Sequence, residues 1–264
     1  MMELNLKNKV VLVAGASAGL GYGVAEAVAS EGARISLASR NQESIESAAQ
    51  SLRTAHGVDA RGYVCDVTDG NAITRWVQAS LTDFGRIDGL VVNAGGPTPG
   101  KFDQFDDAAW QQAFELTLLS SVRMLRAVLP SMRAQGSGAI VTMTSMSVKE
   151  PIDILLLSNV FRSGVVSLMK SLSCDLAAEG IRINNLVPGR MDTVRARSAD
   201  IAAAKRRGIS LEQQRAEQEA MIPMGRYGMA AEFGKAAAFL LSDAACYMTG
   251  STMTVDGGKT QMTW

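Results

Sequence analysis

The sequence predicts an α/β fold, a doubly wound parallel sheet with helices on both faces, in one domain spanning residues 1–264. Three observations predict it. Short β-branched runs alternate strictly with longer helical stretches. The strand runs are apolar throughout rather than at every second residue, as expected of strands buried on both faces. No low-complexity linker divides the chain. Right-handed crossovers then favour a doubly wound sheet with its ligand at the carboxyl ends of the strands.

In chain order, Lys9–Val13 (KVVLV) is the first strand, followed by a glycine-rich turn and the helix Gly19–Glu31. Arg34–Ala38 (RISLA) is the second strand and Gln42–Thr54 the next helix, with Gly57 after its end. Ala60–Cys65 and Ile87–Val92 (IDGLVV) are the third and fourth strands, separated by the helix Asn71–Phe84. A long helix is expected from about Asp106 to Gln135, interrupted by Pro130 and stopped by Gly136. Ala139–Thr144 (AIVTMT) is the fifth strand, Leu155–Ala178 a helix and Ile181–Val187 (IRINNLV) the sixth strand. The helix Ala230–Leu241 precedes a short seventh strand, Met253–Val255. Function is therefore sought in Ala14–Gly21, Ser39–Asn41, Asp66–Val67, Asn93–Gly96, Ser145–Pro151 and Pro188–Thr193.

Composition narrows the chemistry. The 26 basic and 26 acidic residues cancel, and the isoelectric point is near 6.6, which argues against nucleic acid or an anionic membrane as the main partner. A chain of this size buries roughly 70% of its unfolded surface, so its core needs neither disulfides nor a metal. Cys65, Cys174 and Cys246 are scattered, reading as reduced thiols of a cytoplasmic protein. The single histidine, His56, reads as a solvated loop residue, so a histidine-ligated metal or a Ser/His/Asp hydrolase is disfavoured. No apolar run approaches a membrane span, and Met1–Val10 lacks a signal-peptide pattern.

After the first strand the chain reads Ala14-Gly15-Ala16-Ser17-Ala18-Gly19-Leu20-Gly21. Glycines there let the backbone turn sharply and approach a pyrophosphate facing the N–H groups of the next helix. The second strand ends in Ser39-Arg40-Asn41 instead of a carboxylate. A hydroxyl followed by a guanidinium suits a ribose 2′-phosphate, so NADP(H) is favoured over NAD(H).

These motifs, with Cys65-Asp66-Val67, Val92-Asn93-Ala94-Gly95-Gly96, Ile183-Asn184, Pro188-Gly189 and the tail Met248-Thr249-Gly250 … Val255-Asp256-Gly257-Gly258, resemble the short-chain dehydrogenase/reductase family. The resemblance spans nearly the whole chain and is similar in kind to 3-oxoacyl-carrier-protein reductases. It implies a Rossmann-type sheet of about seven parallel strands that binds a nicotinamide cofactor. By that resemblance Gly15, Ser17, Gly19, Leu20 and Gly21 cradle the nucleotide, and Ser39 and Arg40 select it. Asp66 and Val67 meet the adenine, Asn93, Ala94 and Gly95 line the cofactor, and Pro188 and Gly189 lie beside the nicotinamide.

The catalytic positions depart from the family pattern. The family serine matches Ser145, but thirteen residues on stands Ser158 instead of tyrosine, four further Arg162 instead of lysine, and the helix asparagine falls on Thr117. A serine hydroxyl is no substitute for a phenol whose pKa can be drawn from about 10 toward working pH. Arg162 shares a helical face with Ser158, so it can still reach the nicotinamide ribose, yet it cannot join a proton relay because it does not deprotonate. Lys149 reads either as a solvated loop residue or as a replacement donor, and ordered water through Ser158 is another route.

Two functions follow as expectations. The first is an NADP(H)-dependent oxidoreductase interconverting a carbonyl and an alcohol on a small-molecule or acyl substrate. The alternative is a catalytically weak nucleotide-binding protein with a regulatory or assembly role. Residues 190–223, with Arg195, Arg197, Lys205, Arg206 and Arg207 among alanines, match the family's substrate lid. They also fit an ordinary charged helix pair, and a basic lid hints at an anionic substrate. The fourteen methionines, Met143, Met146, Met191, Met221 and Met224 among them, read first as fillers of core gaps, but several fall around the catalytic loops and also fit an adaptable apolar pocket. The resemblance and the apolar tail Met262-Thr263-Trp264 imply a homotetramer, with a dimer as the alternative.

Overall fold

A computed structural model describes residues 3–263. Its elements run β1 (Val10–Ala14), α1 (Gly19–Ser30), β2 (Arg34–Ser39), α2 (Gln42–His56), β3 (Ala60–Val64), α3 (Gly70–Phe84) and β4 (Gly89–Val92). They continue with α4 (Asp107–Phe114), α5 (Ser120–Gln135), β5 (Gly138–Met143), α6 (Leu156–Ala178) and β6 (Ile181–Pro188). A small pair of strands, β7 (Met191–Asp192) and β8 (Gly228–Met229), brackets α7 (Val194–Arg207) and α8 (Leu211–Ala220). Helix α9 (Ala230–Leu241) leads to β9 (Thr252–Val255).

Seven parallel strands form the main sheet in the order β3-β2-β1-β4-β5-β6-β9. The uniformly apolar strands are explained by their two faces. Val10, Leu12 and Ala14 of β1 enter one core with Trp76, Met124 and Leu176, whereas Val11 and Val13 enter the other with Val24, Val28 and Phe233. A side chain on either face of β1 is thus removed from water, each contributing about 1.5–3 kcal/mol for a full Val or Leu. Chain order reverses between β1 and β4, and the crevice beyond their carboxyl ends is where such sheets take ligands.

Two local expectations need correction. The long helix is not interrupted at Pro130, which lies inside α5. Instead, a π-helical turn at Glu115–Leu119 separates α4 from α5 while the backbone stays helical through it. Packing of Val128, Leu129 and Met132 into the core holds α5 together across the hydrogen bond that proline removes. His56 is not a loop residue. It closes α2 as part of the last turn, half-buried before the left-handed Gly57 cap, where the helix dipole favours a basic side chain. The cysteines are free, with Cys65 buried and the other two exposed. Among the described residues no cluster could hold a metal ion, and no helix is long and apolar enough to cross a membrane.

Candidate cofactor cleft and active site

The turn after β1 needs its glycines. Gly15 and Gly19 have φ of +61° and +62°, a region that favours glycine. Gly21 needs its missing side chain for space: a Cβ there would collide with the Gly15 carbonyl oxygen and lie 3.0 Å from Asn93 Nδ2. Asn93, just past β4, reaches across the switch point and donates from Nδ2 to the carbonyls of Ala14 (3.1 Å) and Gly15 (3.3 Å). Ala18 caps α1 with no side-chain hydrogen bond, and the first turn holds no acidic residue. The free N–H groups and positive end of α1 therefore point into the crevice, an arrangement that fits a pyrophosphate.

The neighbouring strand ends supply the rest of the cleft. Ser39 ends β2, its hydroxyl donating weakly to the Asn41 carbonyl at 3.4 Å, and Arg40 beside it is exposed. Asp66 Oδ1 accepts from both the backbone and the hydroxyl of Thr68, which fixes the carboxylate past β3. Gly189 packs against Asp256, where a Cβ would lie 2.6 Å from the Asp256 Cβ, so Pro188-Gly189 is pressed against the tail motif. Thr193 caps α7 by accepting from Ala196 N, and its methyl faces Gly19 across the cleft at 3.9 Å from a Cβ built there. Helix α7 thus begins opposite the start of α1. Ser17, Leu20, Val67, Ala94 and Gly95 lie in these same turns.

The positions read from the sequence as catalytic lie at the end of β5, on α6 and in the π-helical turn that packs on α6. Ser145, partly exposed, caps a short 3-10 turn by accepting from Ser147 N at 3.2 Å. Ser158 and Arg162 are both buried on α6. Arg162 donates from Nη1 to the carbonyls of Met143 (3.0 Å) and Thr144 (3.2 Å), so part of its guanidinium is committed to the strand end beside Ser145. Burial, followed by the positive charge of Arg195, draws the Arg162 pKa down to about 10. Thr117 sits in the π-helical turn, its hydroxyl buried without a partner. That turn packs on α6, with a Cβ at Gly164 3.0 Å from Leu118. Lys149, half-buried, follows the 3-10 turn.

Some residues of the site carry no signal in the sequence alone. Asn159 pins the loop before α6, exchanging hydrogen bonds with the backbone of Ile152. Asn185 on β6 accepts from the hydroxyls of Thr142 and Thr144, tying β5 to β6 beneath the site. Arg195 reads in sequence only as part of a basic segment, yet its guanidinium lies against Gly96, where a Cβ would sit 3.1 Å from Cζ. The methionine cluster divides. Met143 and Met191 belong to the core, whereas Met221 and Met224 are exposed.

Comparison with known proteins agrees with this architecture. Residues 15–260 match the family model described as enoyl-(acyl carrier protein) reductase. The chain is 33% identical to the monensin polyketide synthase putative ketoacyl reductase of Streptomyces virginiae, over 95% of this chain and 97% of that protein. It is 31% identical to the 3-oxoacyl-[acyl-carrier-protein] reductase of Escherichia coli K12, covering 97% and 98% of the two chains. L-sorbose reductase from Gluconobacter frateurii, solved with NADPH and L-sorbose, superposes with a TM-score of 0.95 at 29% identity, over 99% of this chain and 100% of that one. A switch-point cleft of this construction, in a chain matched over nearly its full length, is that of a member of the short-chain dehydrogenase/reductase family of oxidoreductases.

Proposed function

We propose that this protein is an NADP(H)-dependent oxidoreductase interconverting a carbonyl and an alcohol, of the 3-oxoacyl-reductase kind. The observation that carries the reading is the switch-point cleft, where Asn93 braces a glycine turn against an uncapped helix N-terminus. Gly15, Gly19 and Gly21 admit the pyrophosphate, and Ser39 with Arg40 meets a 2′-phosphate at the end of β2. Bound there, the nicotinamide supplies or accepts the hydride. Ser145 orients the carbonyl oxygen by a hydrogen bond, and Arg162 holds positive charge beside it. Residues 190–223 form the lid over the substrate, in a single domain. Ser158 cannot serve as the family tyrosine does, so the proton reaches the oxygen from Lys149 or through water. Loss of a positioned acid removes roughly 10²–10⁴ in rate.

The altered positions Thr117, Ser158 and Arg162 favour a second reading, a catalytically weak nucleotide-binding protein with a regulatory or assembly role. NADPH consumption across a panel of ketones and 3-oxoacyl thioesters separates the two. Turnover above the blank supports the oxidoreductase; blank rates with demonstrated NADPH binding support the second reading. The scattered free thiols accord with a cytoplasmic setting. A homotetramer is proposed, with a dimer as the alternative, and light scattering giving a 28.0 kDa particle would refute both. Of the apolar tail, Trp264 lies outside the described residues.

A further inference from the structure

Arg162 is a buried guanidinium that no carboxylate of the described chain offsets. It is 9% exposed, its hydrogen bonds go to two backbone carbonyls, and the charge that bears on it is another cation, Arg195. A cation removed from water without a counter-charge is costly, and a second cation beside it adds to the cost. Three other arginines of the segment that holds Arg195 are paired with carboxylates, whereas the exposed Arg197 and Arg206 meet none among the described residues. Arg190 meets Asp200, Arg207 meets Glu217, and Arg215 meets both Asp192 and Glu219.

The geometry places the two guanidiniums at the ends of adjacent strands. Arg162 holds the end of β5 at Met143 and Thr144, and Arg195 lies on Gly96 just beyond β4. Strands β4 and β5 are neighbours, paired up to Val92 and Thr142 at this same end. Gly96 lacks the side chain that would exclude Arg195, since a Cβ there would also lie 3.1 Å from Nη1. Ser145 follows Thr144 directly, so the cationic pair borders the position where a carbonyl would be oriented. The α1 terminus, at the end of β1, already offers its own uncapped N–H groups to the cofactor phosphates.

We infer that Arg162 and Arg195 together hold the carboxylate of the substrate, which makes the substrate class an oxo acid or its hydroxy-acid counterpart. This rests on the oxidoreductase reading above but replaces the 3-oxoacyl thioester by a free acid, because a neutral ketone or a thioester places no charge beside its carbonyl. Guanidinium groups are well matched to a carboxylate: Arg195 can present a planar fork of donors, and Arg162, with Nη1 held by two carbonyls, retains Nε and Nη2 as donors.

Malonate tests the inference, having the carbon spacing of a 3-oxo acid but no ketone to reduce. Calorimetry titrates malonate and its neutral dimethyl ester into the protein, free and saturated with NADPH. Malonate is expected to bind the NADPH-saturated protein at least about tenfold more tightly than the ester, the scale of one charge-assisted hydrogen bond. Arg195→Met, at an exposed position, should weaken malonate by about tenfold or more and leave NADPH affinity within about twofold, whereas Arg195→Lys retains part of the binding. Gly96→Ala should weaken malonate as well, by displacing Arg195 without removing its charge. Equal binding of malonate and ester, or no binding of either, would overturn the inference. So would competition between malonate and NADPH with both weakened equally in Arg195→Met, since the anion would then be the cofactor's phosphate. If NADPH fails to bind while malonate binds the free protein in an Arg195-dependent way, the anion site stands and the nicotinamide reading falls.

Discussion

Replacing Gly21 with alanine sets two effects of known sign against each other. Gly21 lies in the first turn of α1, so alanine gains about 0.8–1 kcal/mol of helix propensity. Against this, the new Cβ would lie 2.9 Å from the Gly15 carbonyl carbon, closer still to its oxygen, and 3.0 Å from Asn93 Nδ2, where ordinary contact begins at 3.4 Å. The struck atoms are largely backbone and cannot swing aside. Either α1 or the glycine turn must retreat, and overpacking of this kind costs about 1–3 kcal/mol. The clash wins, for a net loss of up to about 2 kcal/mol, and at about 2–4 °C per kcal/mol the Tm falls by up to about 8 °C. Cofactor affinity should fall further than stability does, because the displaced atoms belong to the turn proposed to cradle the pyrophosphate and braced by Asn93. Scanning calorimetry and NADPH fluorescence titration measure the two quantities on one preparation. A Tm that rises by about 2–4 °C with unchanged NADPH affinity would refute the reasoning, showing that the helix gain dominates and that this turn does not hold the nucleotide.

Arg40 is exposed, so Arg40→Ala should leave Tm within the scatter of surface substitutions. It should cost NADPH about 1.5–3 kcal/mol of binding, roughly tenfold or more, and NADH nothing; equal losses for both nucleotides, or none, reject the 2′-phosphate assignment. Ser158→Tyr with Arg162→Lys should raise kcat on a confirmed substrate if the site is a decayed tyrosine–lysine pair, whereas a fall in both this variant and Lys149→Ala indicates a re-routed proton path. Tyr227 is buried and donates to Asp200 at 2.9 Å; burial first, then this bond, pushes the phenol up to about 12. Its contribution to stability is therefore complete below pH 10, the ordinary phenol value, and is lost as pH rises through about 12. Thermal melts should fall more steeply over that window in the native chain than in Tyr227→Phe.

How far the sequence could be read follows from the range of the interactions involved. Continuous apolar runs such as Val10–Val13 required burial on both faces, and the alternating assignment of their side chains to two cores is that requirement met. Helix stops were local as well: Gly57, Gly85 and Gly136 each adopt the left-handed conformation that glycine tolerates. Pro130 misleads because proline's local penalty says nothing of the packing of Val128, Leu129 and Met132 that offsets it. The widened turn at Thr117 has no comparable local cue, and its contact with Gly164 through Leu118 joins helices far apart in sequence. The destination of Arg195 is hidden for the same reason. Thr193 signals where α7 starts, but that the next turn lies over Gly96 depends on how the helix crosses two strand ends far away in sequence.

The same distinction explains why the cleft was more legible than the reaction centre. Cofactor turns are specified by backbone conformation, which glycine and asparagine reveal by position: positive φ at Gly15 and Gly19, a reaching amide at Asn93. A reaction centre is specified by what surrounds each side chain. The family resemblance implies a phenol and an ammonium where Ser158 and Arg162 stand, but gives no sign that Arg162 is a buried cation at the strand end before Ser145, with the charge of Arg195 bearing on it. That arrangement changes the chemistry available. A phenol both stabilises a developing oxyanion and supplies its proton, whereas a guanidinium supplies positive charge and keeps its protons. On the function proposed above the two duties would be separated: charge stabilisation would rest with the guanidinium, and proton delivery would fall to Lys149 or to water. An anionic substrate would suit such a site, because the guanidinium pair inferred above would hold its carboxylate beside the Ser145 hydroxyl.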